Sequence, residues 1–243
     1  MDDGGVVFEF LRRVPLFAAA PESALRDAAG AARTMTRRRG ARIFDEGSAA
    51  DSCYVLTAGR AKVVLSGRRG VDVILGIVEP FQVVGEIALL DNSTRSAGLV
   101  ALDDCQLIRL SSSAFRRLRA SPSFEEQLMV HVTAMLRRAT EQVRAIYTYS
   151  SPERVSWCLA RLAARAGRRD GGRILITPRP PHHELAEMTG CSRETVSRVL
   201  LQFRRNRWVS WSTTSLAIDE RAFSRYLDVE RGIGTATPVT RLV

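Results

Sequence analysis

The chain is poor in the side chains on which most metal and redox chemistry depends. Its 243 residues include four cysteines and three histidines. Cys53, Cys105, Cys158 and Cys191 stand far apart with no CxxC pair, whereas zinc and iron–sulfur sites gather their ligands through short spacings. No metal site and no tightly bound cofactor are therefore expected. His131 falls within a long helical pattern, where a partly exposed histidine is the simple reading and a haem ligand the remote one. No nucleophile–base–acid set, Walker loop or metal triad is legible, so catalysis is not expected. No apolar run reaches the ~18 to 20 residues of a membrane-spanning helix. The opening MDDGGVVFEF is acidic where a secretory signal would be basic. The expectation is a cytoplasmic protein with no membrane partner. Lysine is nearly missing too: Lys62 is the only one, and every other cationic residue is arginine.

What is present is a globular composition, 45% hydrophobic and 26% charged, with length enough for two modest cores. The net charge of +10 favours an anionic partner. From residue 150 onward there are 16 basic against 9 acidic residues, and before it 20 against 17, so the excess lies in the C-terminal part. Nucleic acid fits that placement. A membrane surface would call for a basic amphipathic helix with an aromatic face, and none is visible.

In that part lies HHELAEMTGCSRETVSRVLLQFRRNRW, His182 to Trp208. Leu185, Met188, Val196, Val199 and Leu200 recur at helical spacing, and Gly190 breaks the pattern in two, as a helix-turn-helix or an ordinary helical hairpin requires. Ser192 stands at an N-cap position, with Thr195 in the first turn that follows. With Val196 and Val199 turned inward, Arg193, Glu194, Ser197 and Arg198 project from the opening turns of the second helix. Arginine can bond guanine O6 and N7, and glutamate can accept from cytosine N4, so this face carries chemistry for a G·C-containing major groove.

Residues 6 to 39 read as a helical lead-in, with PESALRDAAGAARTM as its second helix and Arg37 to Arg39 as a solvated stretch before a strand. From Gly40 to about Leu110 the period falls to two, with turns every 8 to 12 residues, which predicts an antiparallel double sheet of the jelly-roll kind. Within it lies VGEIALLDNSTRSAGLVA, Val84 to Ala101. Gly85 admits close backbone approach, Glu86 and Ile87 open a short helical turn, and Arg95 can fork onto a phosphate oxygen. The same residue types also suit a plain sheet turn tied by a Glu86–Arg95 salt bridge. After a short helix at SSAFRRLRASP, Pro122 to Tyr149 forms one long helix with a stripe at Phe124, Leu128, Val132, Met135, Ala139, Gln142 or Val143, and Ile146. This is close to the seam of a two-stranded coiled coil, and packing on the same chain is its alternative. Tyr149 to Pro152 ends the helix. PERVSWCLARLAARAG is the next helix, RRDGG an exposed basic loop, RILITP a strand, and WVSW with LAID a two-stranded wing. The tail beyond Ala222 holds a short helix and then disorder.

Two stretches carry a family resemblance. GCSRETVSRVL resembles the recognition helix of the catabolite-activator branch of the CRP/FNR transcription-factor family, and GExALL followed by RSA resembles the phosphate-binding cassette of cyclic-nucleotide-binding domains. The likeness spans residues 6 to 220. It implies an α+β chain: a jelly-roll β-barrel sensor over 1–120, a long dimerisation helix over 121–149, a winged helix-turn-helix domain over 150–230, and a disordered tail over 231–243. It implies a homodimer on a palindromic duplex of TGTGA type, read by Arg193, Glu194 and Arg198 with Ser192, Thr195 and Ser197 in support, and an exposed surface at RRDGG for RNA polymerase. His182 stands where close relatives carry a DNA-contacting arginine, and by that likeness it would reach a phosphate or a guanine more weakly. As allosteric ligand it implies cAMP, with cGMP, another nucleotide or no ligand as alternatives. Arg95 would hold the cyclic phosphate, Glu86 the ribose hydroxyl, and Ser96 with the backbone from Gly85 through Ile87 to Ala88 would complete the shell. The Thr-Ser pair that faces adenine in the family falls on Ala139 and Thr140, leaving one hydroxyl. Members that hold an iron–sulfur cluster carry cysteines near the N-terminus, and none precedes Cys53 here.

Overall fold

The computed structural model describes residues 3–67, 72–224 and 226–227. Two compact units divide the chain, Met1–Arg137 and Arg138–Val243.

In the first unit, α1 (Asp3–Leu11), a 3-10 turn (Pro15–Phe17) and α2 (Glu22–Gly30) lead into eight strands. α2 stops at Gly30, short of the expected helix through Met35, and Arg33–Arg37 is instead a strand, β1. The β-branched Thr34 and Thr36 alternate there with Met35, which packs against the barrel interior, so a period of two overrides helical propensity. β2 (Arg42–Phe44), β3 (Ser52–Ala58), β4 (Ala61–Leu65), β5 (Val73–Val78), β6 (Val83–Val84), β7 (Gly98–Ala101) and β8 (Cys105–Ser111) follow, with α3 (Ile87–Leu90) between β6 and β7. They form two antiparallel four-stranded sheets, ordered β1-β8-β3-β6 and β2-β7-β4-β5, the expected jelly roll.

Alternation along β3 and β8 sorts side chains between two cores. Tyr54, Leu56 and Leu107 join Leu99 in one cluster, while Val55, Ile108 and Leu110 join Phe17, Leu118 and the helices in another. α4 (Ser112–Arg119) is capped by the Ser111 hydroxyl, which accepts from the Ala114 N–H, and α5 (Pro122–Thr148) follows. Phe115 and Phe124 meet edge to face with centroids 5.9 Å apart.

Phe124 and Leu128 are wholly buried in this second cluster, so the N-terminal part of the expected coiled-coil stripe packs on its own chain. The exposed large apolar positions of α5 are Met129, Leu136 and Val143, spaced by sevens, with Val130, Ile146 and Tyr147. Val143 and Ile146 of the predicted stripe are thus exposed, while Met129 and Leu136 lie one position round from its Leu128 and Met135. A heptad count cannot separate a helix's two apolar faces when both exist.

The last turn of α5 contributes Ala145 to the core of the second unit, joined there by Tyr149. α6 (Ser151–Ala166) opens with a capping box in which the Glu153 carboxylate accepts from the Ser150 N–H at 2.8 Å. Next come β9 (Arg168–Asp170), β10 (Arg173–Ile176), α7 (His182–Thr189), α8 (Arg193–Arg205), β11 (Val209–Trp211) and β12 (Leu216–Asp219). The expected basic loop at 168–172 is in part a strand, and the two wing strands β11 and β12 pair as expected and continue through β10 and β9 in a four-stranded sheet. Arg168 to Asp170 offers no apolar alternation, and its pairing with β10 comes from a hairpin through Gly171 and Gly172, both at positive φ. Val155, Leu159, Leu185, Val196, Phe203 and Ile218 fill the core beneath the two helices. The expected disordered tail, 231–243, lies outside the described residues.

Candidate functional site

In the barrel, β6 ends at Gly85, whose φ of +85° turns the chain into α3. A Cβ at Gly85 would fall 2.5 Å from Arg95 Nη1, so glycine is needed for the close approach as well as for the angle. Arg95 is 3% exposed. Its Nη1 donates to the Gly85 carbonyl at 2.6 Å and its Nη2 to the Ser52 carbonyl at 2.5 Å, while its guanidinium lies 4.4 Å from the Phe44 ring centroid. Burial draws the arginine below its ordinary pKa, opposed by the nearby Tyr54, Cys53, Asp51 and Glu86. Its Nε finds no acceptor.

Glu86 is 1% exposed and pairs with His131, not with Arg95: Oε1 lies 2.9 Å from His131 Nε2 on α5. The salt-bridge alternative for Glu86 and Arg95 therefore does not form. Glu86 Oε2 has no partner. A buried donor and a buried acceptor, each unmet, are costly to leave so, and together they describe a guest bearing an anionic oxygen and a hydroxyl. Ala88 turns into the core, Ile87 faces out, and Ser96 is exposed beside Arg95. Thr140 lies exposed on α5 within the second unit.

His131, the partner of Glu86, reads from the sequence only as a partly exposed helix histidine. Its position seven after Phe124 and three after Leu128 places it on the buried face of α5, a signal that spacing already held. The Ser52 and Gly85 carbonyls had no signal, because a backbone acceptor carries no sequence mark.

In the second unit, Gly190 at φ +63° closes α7, and Ser192 caps α8, its hydroxyl accepting from the Thr195 N–H at 3.1 Å. Arg193, Glu194, Ser197 and Arg198 line one groove of about 680 Å³ with Leu201, Gln202 and Arg205, which continue the same helical face. The backbone N–H of Glu194, then the Ser192 hydroxyl, draws the Glu194 carboxyl below the usual range, keeping it an ionised acceptor.

His182 and Ser197 are tied to each other: His182 Nδ1 lies 2.7 Å from Ser197 Oγ and Nε2 lies 3.4 Å from Arg179 Nη2. Burial, then the charges of Arg179 and Arg193, lowers the His182 pKa. This ring braces α7 against α8 in its neutral form. Trp211 lies under two guanidiniums, Arg179 at 5.1 Å and Arg204 at 4.7 Å from its ring centroid.

Among the described residues no group of three or more histidine, cysteine or acidic side chains converges to hold a metal ion, and no helix is long and apolar enough to cross a membrane. Burial pushes the Cys158 thiol up to about 12 and raises that of Cys53, which suits inert core cysteines.

Two family models match the chain: a cyclic nucleotide-binding domain over residues 35–121 and a Crp-like helix-turn-helix domain over residues 153–222. The chain is 27% identical over 213 residues to the CRP-like cAMP-activated global transcriptional regulator of Mycobacterium tuberculosis, covering 87% of this chain and 95% of that one. It is 32% identical over 163 residues to the cyclic AMP receptor protein of Thermus thermophilus, covering 67% of this chain and 72% of that one. In fold it is similar to the c-di-GMP responsive global regulator CLP of Xanthomonas campestris, with a TM-score of 0.69 at 19% identity over 82% of this chain and 99% of the other.

Proposed function

The chain belongs to the CRP/FNR family of transcription regulators, with a cyclic-nucleotide-binding domain and a DNA-binding helix-turn-helix, and from that premise we propose that it is a homodimer that reads a palindromic site under control of a cyclic nucleotide. The effector we favour is cAMP, the ligand named for the mycobacterial and Thermus relatives. One observation carries this reading: the barrel buries a guanidinium with an unmet Nε and a carboxylate with an unmet Oε2. Arg95 takes the cyclic phosphate, with Ser96 and the backbone from Gly85 through Ile87 to Ala88 around it. Glu86 accepts from the ribose hydroxyl. By the family resemblance, Thr140 is the residue assigned to the base.

At the DNA end, Arg193, Glu194 and Arg198 read base edges of a TGTGA-like half-site, while Ser192 and Thr195 set the start of the helix. Ser197 and His182 brace the pair of helices, and the arginines around Trp211 meet phosphates. The apolar positions Met129, Leu136 and Val143 make the dimer seam, which places two recognition helices on one duplex. The exposed strand Arg168–Asp170 is the surface offered to RNA polymerase. Ligand occupancy biases two arrangements of the dimer by its differential affinity for them.

Calorimetric titration with cAMP and cGMP tests the effector. Binding that is lost in Arg95→Gln and Glu86→Ala supports this reading. A second reading, a regulator that works without ligand, is favoured by Ala139 at one of the two base-facing positions. Absence of heat with both nucleotides, alongside intact DNA binding, selects it.

A further inference from the structure

We infer that His131 is a positioning residue for the nucleotide's hydroxyl, and that through it the cradle reports its occupancy to α5. The inference rests on the cyclic-nucleotide reading given above and adds a residue that the resemblance did not assign.

Glu86, 1% exposed, has two acceptor oxygens. One is occupied by the imidazole at 2.9 Å, and the other is open. Without the imidazole the carboxylate plane is free to tilt about its last torsion, because sp2 termini have broad wells. With Oε1 held, only Oε2 is free for a guest. The bond also fixes the ring: to serve a carboxylate, which only accepts, Nε2 must carry a proton.

His131 shares its helix face with Phe124 and Leu128, both sealed in the core, so the imidazole is carried on a stretch of α5 that cannot swing away. Met129 and Leu136, of the exposed stripe, lie round the other side of the same helix. A hydroxyl that donates to Oε2 and an imidazole that donates to Oε1 share one charge, so each bond alters the strength of the other. The chain of contact runs from guest through Glu86 and His131 to the helix bearing the seam.

A double-mutant cycle between protein and ligand tests this. Wild type, His131→Ala and His131→Gln are titrated with cAMP and with 2′-deoxy-cAMP, or with the cGMP pair if that binds more tightly. Wild type should lose about ten- to a hundredfold in affinity on loss of the hydroxyl, the size of one hydrogen bond to a charged group. His131→Ala should bind the two forms alike, within about threefold, and His131→Gln, which keeps an N–H in reach, should restore most of the difference. Equal weakening of both forms in His131→Ala overturns the inference and leaves His131 a packing residue.

Should wild type bind neither cyclic nucleotide, the effector reading fails while the positioning claim stays testable by imidazole 15N chemical shifts. A single Nε2-protonated tautomer at His131 that becomes mixed in Glu86→Gln supports it. A tautomer mixture indifferent to Glu86→Gln overturns it.

Discussion

Gly85→Ala puts one methyl group where the cradle has no room. The φ of +85° lies beyond what an alanine adopts readily, at about 1–2 kcal/mol of backbone strain. The new Cβ would fall 2.5 Å from Arg95 Nη1, the nitrogen that donates to the carbonyl of the same residue at 2.6 Å. Guanidinium and methyl cannot share that space, so at least one charge-assisted bond lengthens or breaks, a loss of about 1.5–3 kcal/mol. Partial relaxation trims the sum, and we expect a destabilisation of about 2–4 kcal/mol confined to the first unit.

The assay follows from where the tryptophans are. All three, Trp157, Trp208 and Trp211, lie in the second unit, so indole fluorescence tracks that unit and far-ultraviolet circular dichroism tracks both. In urea, Gly85→Ala should shift part of the dichroism transition to lower denaturant while the fluorescence midpoint holds still. Cyclic-nucleotide affinity should fall at least tenfold, as Arg95 is turned from its place. A variant that unfolds like wild type by dichroism and binds nucleotide as tightly would refute the geometry assigned to Arg95.

Removing the cap in Ser192→Ala should lower the stability of the second unit by about 1 kcal/mol, read from tryptophan fluorescence in urea. Arg193→Ala should weaken binding to the palindrome by about 1–3 kcal/mol and relax preference at one base pair, measured by competition among single-substituted duplexes. Because His182 titrates below its ordinary 6.5 in the fold, the unfolded chain binds its proton more readily. That contribution to stability is whole above 6.5 and is lost as pH falls through the lowered value. His182→Gln should therefore flatten the decline of the fluorescence midpoint between neutral and mildly acid pH. Val143→Glu, in the exposed stripe, should drive the chain toward monomer in sedimentation velocity without unfolding either unit.

The helix-turn-helix was legible because short-range chemistry specifies it: Gly190 for a left-handed closure, Ser192 for a cap, and an apolar set at helical spacing. The jelly roll was legible from its period of two. Reading failed where tertiary pairing decided the outcome. Arg33 to Arg37 is a strand because β8 accepts it in register, Arg33 against Arg109, and nothing local demands it. Phe124 and Leu128 looked like an intermolecular seam because a helix with two apolar faces shows one merged pattern.

At the cradle, the motif residues Gly85, Glu86 and Arg95 were readable as a cluster, but the exchange of partners was not. A glutamate and an arginine nine residues apart suggest a salt bridge, whereas the fold gives Glu86 a histidine 45 residues away and gives Arg95 two carbonyls. His182 read as a weaker DNA contact, and its ring lies 2.7 Å from Ser197 Oγ, a partnership that spacing did not announce.

Affinity for a duplex carrying TGTGA-N6-TCACA, measured by fluorescence anisotropy at fixed, modest salt with and without cAMP, bears most directly on the whole account. The account predicts a dimer that prefers this duplex to a scrambled one and binds it more tightly once cAMP is added. A chain that binds both duplexes equally, or that ignores cAMP and cGMP alike, contradicts it.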